Sequence, residues 1–193
     1  MYDIQPWHGW RDDYRAEKDE YSPFYKRKYD EFNLKSKIYN YFIHQQWDFF
    51  GSDTLYVKIL YVGYEKKYAI IELLGEWNDG IGNDIMWLKR ELIDQMVDKH
   101  INKFVLICDN VLNFHGDDDS YYEEWYDDIK EEGGWICLIN TFDHVNDEMN
   151  KYRLYYYLNF GPQWNDFDWR RKKPSQILKS IETQMANQQK HLT

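Results

Sequence analysis

The chain has 193 residues, of which 43% are hydrophobic and 30% charged, and its formal net charge is −10. That length admits one domain with an appendage, or two small domains, with enough chain to bury a sizeable core. The acidic balance excludes broad electrostatic attraction to nucleic acid or to an anionic lipid surface.

Cys108 and Cys137 each sit in a short apolar run, FVLIC and WICLI, without paired spacing. This argues against a disulfide framework or a zinc site and predicts buried thiols. The first residues lack the apolar stretch of a signal peptide, and no run approaches the ~18 apolar residues of a membrane span. The expectation is a soluble, cytoplasmic protein. Aromatic residues make up 19% of the chain, and most of that bulk is expected inside.

Residues 1–33 mix both signs of charge with aromatics and show no period. They read as an arm that packs through Trp7 and Trp10 or stays mobile. Leu34, Ile38, Phe42 and Phe49 lie near helical spacing and predict a helix over 34–49, ended by Gly51-Ser52-Asp53. Leu55–Gly63 and Tyr68–Leu74 are strand-like, and the four residues between them suit a hairpin. After a loop at 78–82, Ile85, Leu88, Leu92, Ile93, Met96 and Val97 form one helical stripe, with Asn83 or Asp84 as the cap. Residues 104–108 suit a strand buried on both faces.

Residues 114–135 read FHGDDDSYYEEWYDDIKEEGGW. Ser120 and Glu123 fit a capping box, and Tyr122, Trp125, Tyr126 and Ile129 then recur at helical spacing up to Gly133-Gly134. Glu123, Glu124, Asp127, Asp128 and Glu131 fall mostly on the opposite, solvated face. Asp117, Asp118 and Asp119 precede the cap and are left unexplained by it. Residues 135–140 predict another buried strand, and a short helix follows around 144–150. Tyr152–Leu158 predict a further strand, and a last helix begins near Pro174 with Ile177, Leu178, Ile181 and Met185 inward. Alternation after the hairpin implies an α/β sheet with parallel strands and crossover helices.

Three segments, LLGEWND at 73–79, FVLICDNVLNF at 104–114 and GGWICLIN at 133–140, resemble a STAS domain in their order and spacing. That is the fold of anti-sigma-factor antagonists and of the cytoplasmic tails of sulfate transporters. DWRRKKPSQILKSIE at 168–182 is similar to the closing helix of the family. The resemblance covers about residues 53–185. It implies an α/β, STAS-like mixed sheet with a β-hairpin start, and Gly75 ending the second strand. It also implies a helix over 84–100 and a strand leading into a loop over Asp109–Asp119. The domain division it suggests is an N-terminal arm and helix at 1–52 followed by a STAS-like domain at 53–188. Regulatory members carry a phosphorylatable serine after an aspartate at the start of the second helix. An ungapped match places Asp117 near that serine, whereas a three-residue insertion matches it to Ser120. The first carries a fixed single charge; the second leaves a hydroxyl open to modification.

The resemblance implies a non-enzymatic regulatory module that acts through a protein partner, with no cofactor. The expected contact surface is Asp117, Asp118, Asp119 and Ser120, with Tyr121, Tyr122 and Trp125 as aromatic anchors. Asp109 to Glu148 contain thirteen acids and one lysine, which favours a basic protein surface over nucleic acid. Two other chemistries remain open. Asp109, His115, Asp117 and Asp143 follow strands of a parallel sheet, so they could hold a divalent metal and activate water for hydrolysis. Trp164 and Trp169 could line a cleft for lipid or carbohydrate. No nucleotide-binding glycine loop or nucleophile elbow is present.

Overall fold

The structure, a computed structural model, describes residues 4–30, 32, 36–39 and 41–190. After one turn of 3-10 helix at Ala16–Lys18, two short strands, β1 (Lys37–Ile38) and β2 (Tyr41–Phe42), pair antiparallel. The main sheet holds β3 (Leu55–Gly63), β4 (Tyr68–Asn78), β5 (Lys103–His115) and β6 (Trp135–Ile139), in that spatial order. β3 and β4 form an antiparallel hairpin, while β4–β5 and β5–β6 are parallel. Each parallel step needs a crossover. The first is α1 (Asp79–Gly82), α2 (Asp84–Leu88), a π-helical turn (Lys89–Ile93) and α3 (Asp94–Val97). The second is α4 (Ser120–Lys130). α5 (Asp143–Lys151) follows β6, and α6 (Pro174–Lys190) closes the chain. Hairpin start, parallel strands and crossover helices are all present in the order the STAS resemblance implies.

Side-chain alternation sorts the sheet into two faces. Ala69, Ile71 and Leu73 of β4, with Phe104, Leu106 and Cys108 of β5, meet Leu88, Leu92, Trp125, Ile129 and Met149 from the helices α2 to α5. The residues between them, Ile70, Val105, Ile107 and Cys137, face the other way onto Trp10, Trp164, Trp169 and Ile177. The first face is therefore covered by the crossover helices. The second is covered by α6, the segment before it and the N-terminal arm. Both cysteines are free and buried, as their apolar runs predict. Among the described residues, no helix is long and apolar enough to cross a membrane.

Several expectations are corrected. No helix occupies the described part of 34–49; β1, β2 and turns do, and Leu34 lies outside the described residues. Ile38, Ile43 and Trp47 instead pack with Tyr56 and Leu74 in a small separate cluster. β4 runs past Gly75 to Asn78. Gly75 is required because its φ is +124° and a Cβ there would lie 2.1 Å from the Thr54 carbonyl oxygen, a site only glycine tolerates. β5 runs to His115, not Cys108, so most of the expected 109–119 loop is strand. Residues 152–158 form no strand: α5 ends in a left-handed Arg153 and a 3-10 turn, Leu154–Tyr156.

Candidate functional site

The acidic run begins where β5 ends. Gly116 lies tight against the Tyr152 ring, with 2.3 Å left for a Cβ, so the chain must turn at glycine to clear α5. Asp117 is exposed and makes no hydrogen bond or ion pair among the described residues. Asp118 turns back: its Oδ1 accepts from the Ser120 N–H at 2.9 Å and from the Ser120 hydroxyl. Those two donors hold its carboxyl below the usual range. Asp119, not Ser120, is the N-cap position of α4, and its carbonyl accepts from the Tyr122 and Glu123 amides. The capping box read from Ser120 and Glu123 does not form, because Ser120 is already the first helical residue and the Glu123 amide bonds the Asp119 carbonyl.

Two of the three expected anchors are core residues. Tyr122 is 1% exposed and Trp125 is fully buried. Tyr122 donates to Asp79 at 2.6 Å, and Trp125 packs edge-on against Phe104 at 5.1 Å. The helical stripe that revealed α4 is the stripe it buries. Tyr121 stays half-exposed beneath the Arg90 guanidinium.

The exposed rings come from elsewhere. Tyr155 and Tyr156, on the 3-10 turn after α5, are 52% and 62% exposed, with ring centroids 4.7 Å apart. Tyr157 continues the row, 6.4 Å from Tyr156 and 6.3 Å from Tyr126 of α4. Its hydroxyl donates to Asp119 Oδ2 at 3.1 Å. Burial pushes its pKa up to about 12, helped by Asp119 and the nearby Glu123 and Asp127. A tyrosine row is thus tied to the acidic loop. One signal for it stood in the sequence: three consecutive tyrosines cannot all face inward on a strand of period two.

Four other acids of the run, Glu124, Asp127, Asp128 and Glu132, are already engaged, whereas Glu123 and Glu131 are exposed and make no side-chain ion pair among the described residues. Arg90 grips Glu124 with two bonds of 2.6 and 2.8 Å. Lys89, 1% exposed, donates to Asp128 at 2.7 Å and to Asp94, and reaches Glu124 at 3.5 Å. Lys130 pairs with Asp127 at 2.6 Å, and Lys67 with Glu132 at 2.8 Å. Asp94, Glu124 and Asp128 bring carboxylate oxygens within 4.8 Å of one another, close enough to share a metal ion. The Lys89 ammonium sits among them.

The metal quartet expected from the sequence is not brought together. Asp109 lies inside β5, accepting from Asn140 at 2.7 Å, Trp169 at 3.1 Å and Arg170 at 2.5 Å. His115 is six residues further along the strand, roughly 20 Å away at ~3.3 Å per residue. Asp117 is in the next loop, and Asp143 opens α5 beyond β6. The strand extension missed in the sequence carries His115 and Asp117 away from Asp109, which shares a cleft with Asp143. Trp164 and Trp169 are each 1% exposed and belong to the second core, so they offer no face to a lipid or sugar. Of the basic residues Arg170-Arg171-Lys172-Lys173 before α6, Arg170 stays exposed while bonding Asp109 and stacking on Trp169.

No protein-family model matches the sequence, and no curated protein matches it. A search of solved structures finds the anti-sigma-factor antagonist SpoIIAA in its unphosphorylated form (TM-score 0.47, 9% identity), covering 66% of this chain and 96% of that one. The phosphorylated form of the Bacillus cell fate determinant SpoIIAA gives 0.42 and 7%, covering 65% and 98%. A Thermotoga maritima protein assigned as an anti-sigma factor antagonist gives 0.40 and 15%, covering 65% and 92%.

Proposed function

We propose that this chain is a non-enzymatic, STAS-like regulatory module that binds a basic protein surface. The contact surface is the loop Asp117–Ser120 together with the tyrosine row 155–157 and Tyr121. The observation that carries the reading is the Tyr157–Asp119 hydrogen bond, which sets exposed rings beside carboxylates that the fold leaves unneutralised. Exposed tyrosines give a partner large, rigid contact area at little entropic cost, and a charged rim sets its sign and speeds encounter. Asp117 and Ser120 are the charge determinants. Asp117 supplies a fixed negative charge, and a phosphate on Ser120 would add ~1.5 to 2 more beside it.

The test is an affinity capture from the source organism's lysate with three proteins. These are the natural chain, Asp117→Arg plus Ser120→Arg, and Tyr155→Ala plus Tyr156→Ala. The expected result is a partner held by the first, released by raised salt, and lost by both variants while their melting temperatures stay unchanged. A partner retained equally by all three folded proteins would place the interaction elsewhere and remove this reading.

A further inference from the structure

The N-terminal arm encloses a cavity of about 190 Å³ against the outward side of β3. This is the side of the sheet opposite α4, so the cavity is independent of the surface proposed above. Its volume equals roughly six waters at ~30 Å³ each. The arm is fixed there by its backbone and its rings. The Trp7 N–H donates to Glu72 at 2.8 Å, and the Trp10 indole donates to the Lys172 carbonyl at 3.2 Å.

The walls are rich in donors and poor in acceptors. Arg11, Arg15 and Lys58 line the cavity, with Glu17 the one carboxylate on its wall among the described residues. Arg15 Nε donates to the Arg11 carbonyl at 3.0 Å. Among the described residues, neither guanidinium has a carboxylate within ion-pair distance. The Trp7 indole N–H is buried and has no hydrogen-bond partner among the described residues, although such a donor is costly to leave unmet. Lys58 is 8% exposed and shares the buried Asp48 with Arg27 and Tyr29. Its ammonium stands 4.0 Å over the Tyr29 ring. In a chain of net charge −10, three cations around one aromatic-walled cavity run against the overall composition.

We propose that this cavity binds a small organic anion, a carboxylate or phosphate carried on a flat ring, with Arg11, Arg15 and Lys58 on the charge and Trp7, Trp10 and Tyr29 against the ring. Unmet donors call for an acceptor-rich group, and guanidinium pairs recognise carboxylate or phosphate oxygens in a fixed fork. Burial holds the Lys58 pKa below its ordinary range, and the nearby Arg11 charge adds to that effect. A bound anion would offset both.

The experiment titrates the full chain with phenyl phosphate, benzoate, inorganic phosphate and benzyl alcohol, reading tryptophan fluorescence and melting temperature. The same series is run on Arg11→Gln plus Arg15→Gln. These two side chains have no ion partner to lose, so the variant is expected to melt where the natural chain does. The chain has nine tryptophans, so the variant also assigns any signal to this cavity. Saturable binding of phenyl phosphate or benzoate is expected, stronger than that of inorganic phosphate and weakened about ten-fold or more in the variant. No saturation by either aromatic anion at about 10 mM would overturn the proposal. Equal binding by natural chain and variant would do the same, as would benzyl alcohol binding as well as benzoate.

Discussion

Glu124 and Asp128 on α4, and Asp117 and Asp118 in the loop before it, come from one acidic run and end in opposite circumstances. The α4 pair faces a buried ammonium and a half-exposed guanidinium, so its charge is spent joining α4 to the π-helical turn. The loop pair meets no cation among the described residues; Asp118 accepts only from Ser120, and Asp117 from nothing. Composition treats these four residues alike. The position of Lys89 separates them, because a lysine 1% exposed must be compensated. Acids near such a cation are structural, whereas acids outside its reach are free to meet a partner.

The sharpest way to break that comparison is Lys89→Met. Removing the ammonium leaves Asp94, Glu124 and Asp128 facing one another, and a loss of about 3 kcal/mol in urea unfolding is expected. Arg90 still holds Glu124 and Asp94, which limits the loss. Adding Asp94→Asn, Glu124→Gln and Asp128→Asn should recover most of it, since a neutral, well-packed replacement of a buried ion cluster is often tolerated. Failure of the quadruple variant to recover would mean that the packed stem of Lys89, or the two carboxylates held by Arg90, outweigh its charge.

A second test uses pH. Burial raises the Glu72 pKa from 4.5 to about 7 and that of Asp79 from 3.8 to about 7. Both carboxyls bind a proton more tightly folded than unfolded. Their contribution is therefore fully present below the unfolded values and is lost as pH rises through about 7. Stability should fall between pH 5 and 7.5, by about 2 kcal/mol for each of the two carboxyls. Asp94 and Glu124 have the opposite sign: their lowered values give a contribution lost only as pH falls below the ordinary carboxylate range. Glu72→Gln should flatten the decline between pH 5 and 7.5. An unchanged slope would mean that Glu72 is solvated and the arm is not seated on it.

What the sequence disclosed follows the same division between local and distant causes. The hairpin, the stripe from Ile85 to Val97 and the stripe of α4 were legible because period two and period 3.6 register burial directly. The ends of elements were not. β5 continues past Cys108 through polar Asp109, Asn110 and Asn113, because Trp169, Arg170, Asn140 and Glu76 supply partners from far along the chain. Ile38 and Phe42 have helical spacing, yet their neighbours Tyr39, Tyr41 and Phe42 favour extended backbone. A separate cluster with Tyr56 and Leu74 decides the outcome there. At the candidate site, the acidic loop was visible but its aromatic companions were assigned to the wrong residues. Strong helical periodicity in Tyr122 and Trp125 is evidence of burial and therefore counts against their being anchors.

Tyr122→Phe checks that reversal. The change removes one of three donors to the buried Asp79, leaving Trp77 and the Ile85 amide. A cost of about 1–2 kcal/mol is expected, with capture of the partner unchanged once the protein is folded. A selective loss of partner with no loss of stability would return Tyr122 to the interface.

The smallest effect separates the two loop acids from each other. Asp118→Ala removes the acceptor of the Ser120 amide and hydroxyl at the start of α4, which resembles the loss of a cap and should cost about 1 kcal/mol. Asp117→Asn removes only a charge that nothing in the described fold uses, so its melting curve should match that of the natural chain within about 0.5 kcal/mol. Its effect should instead appear in the salt dependence of partner capture, because an exposed rim charge acts mainly on encounter. If Asp117→Asn destabilised the protein as much as Asp118→Ala, both loop acids would be structural. The contrast with Glu124 and Asp128 would then be one of degree.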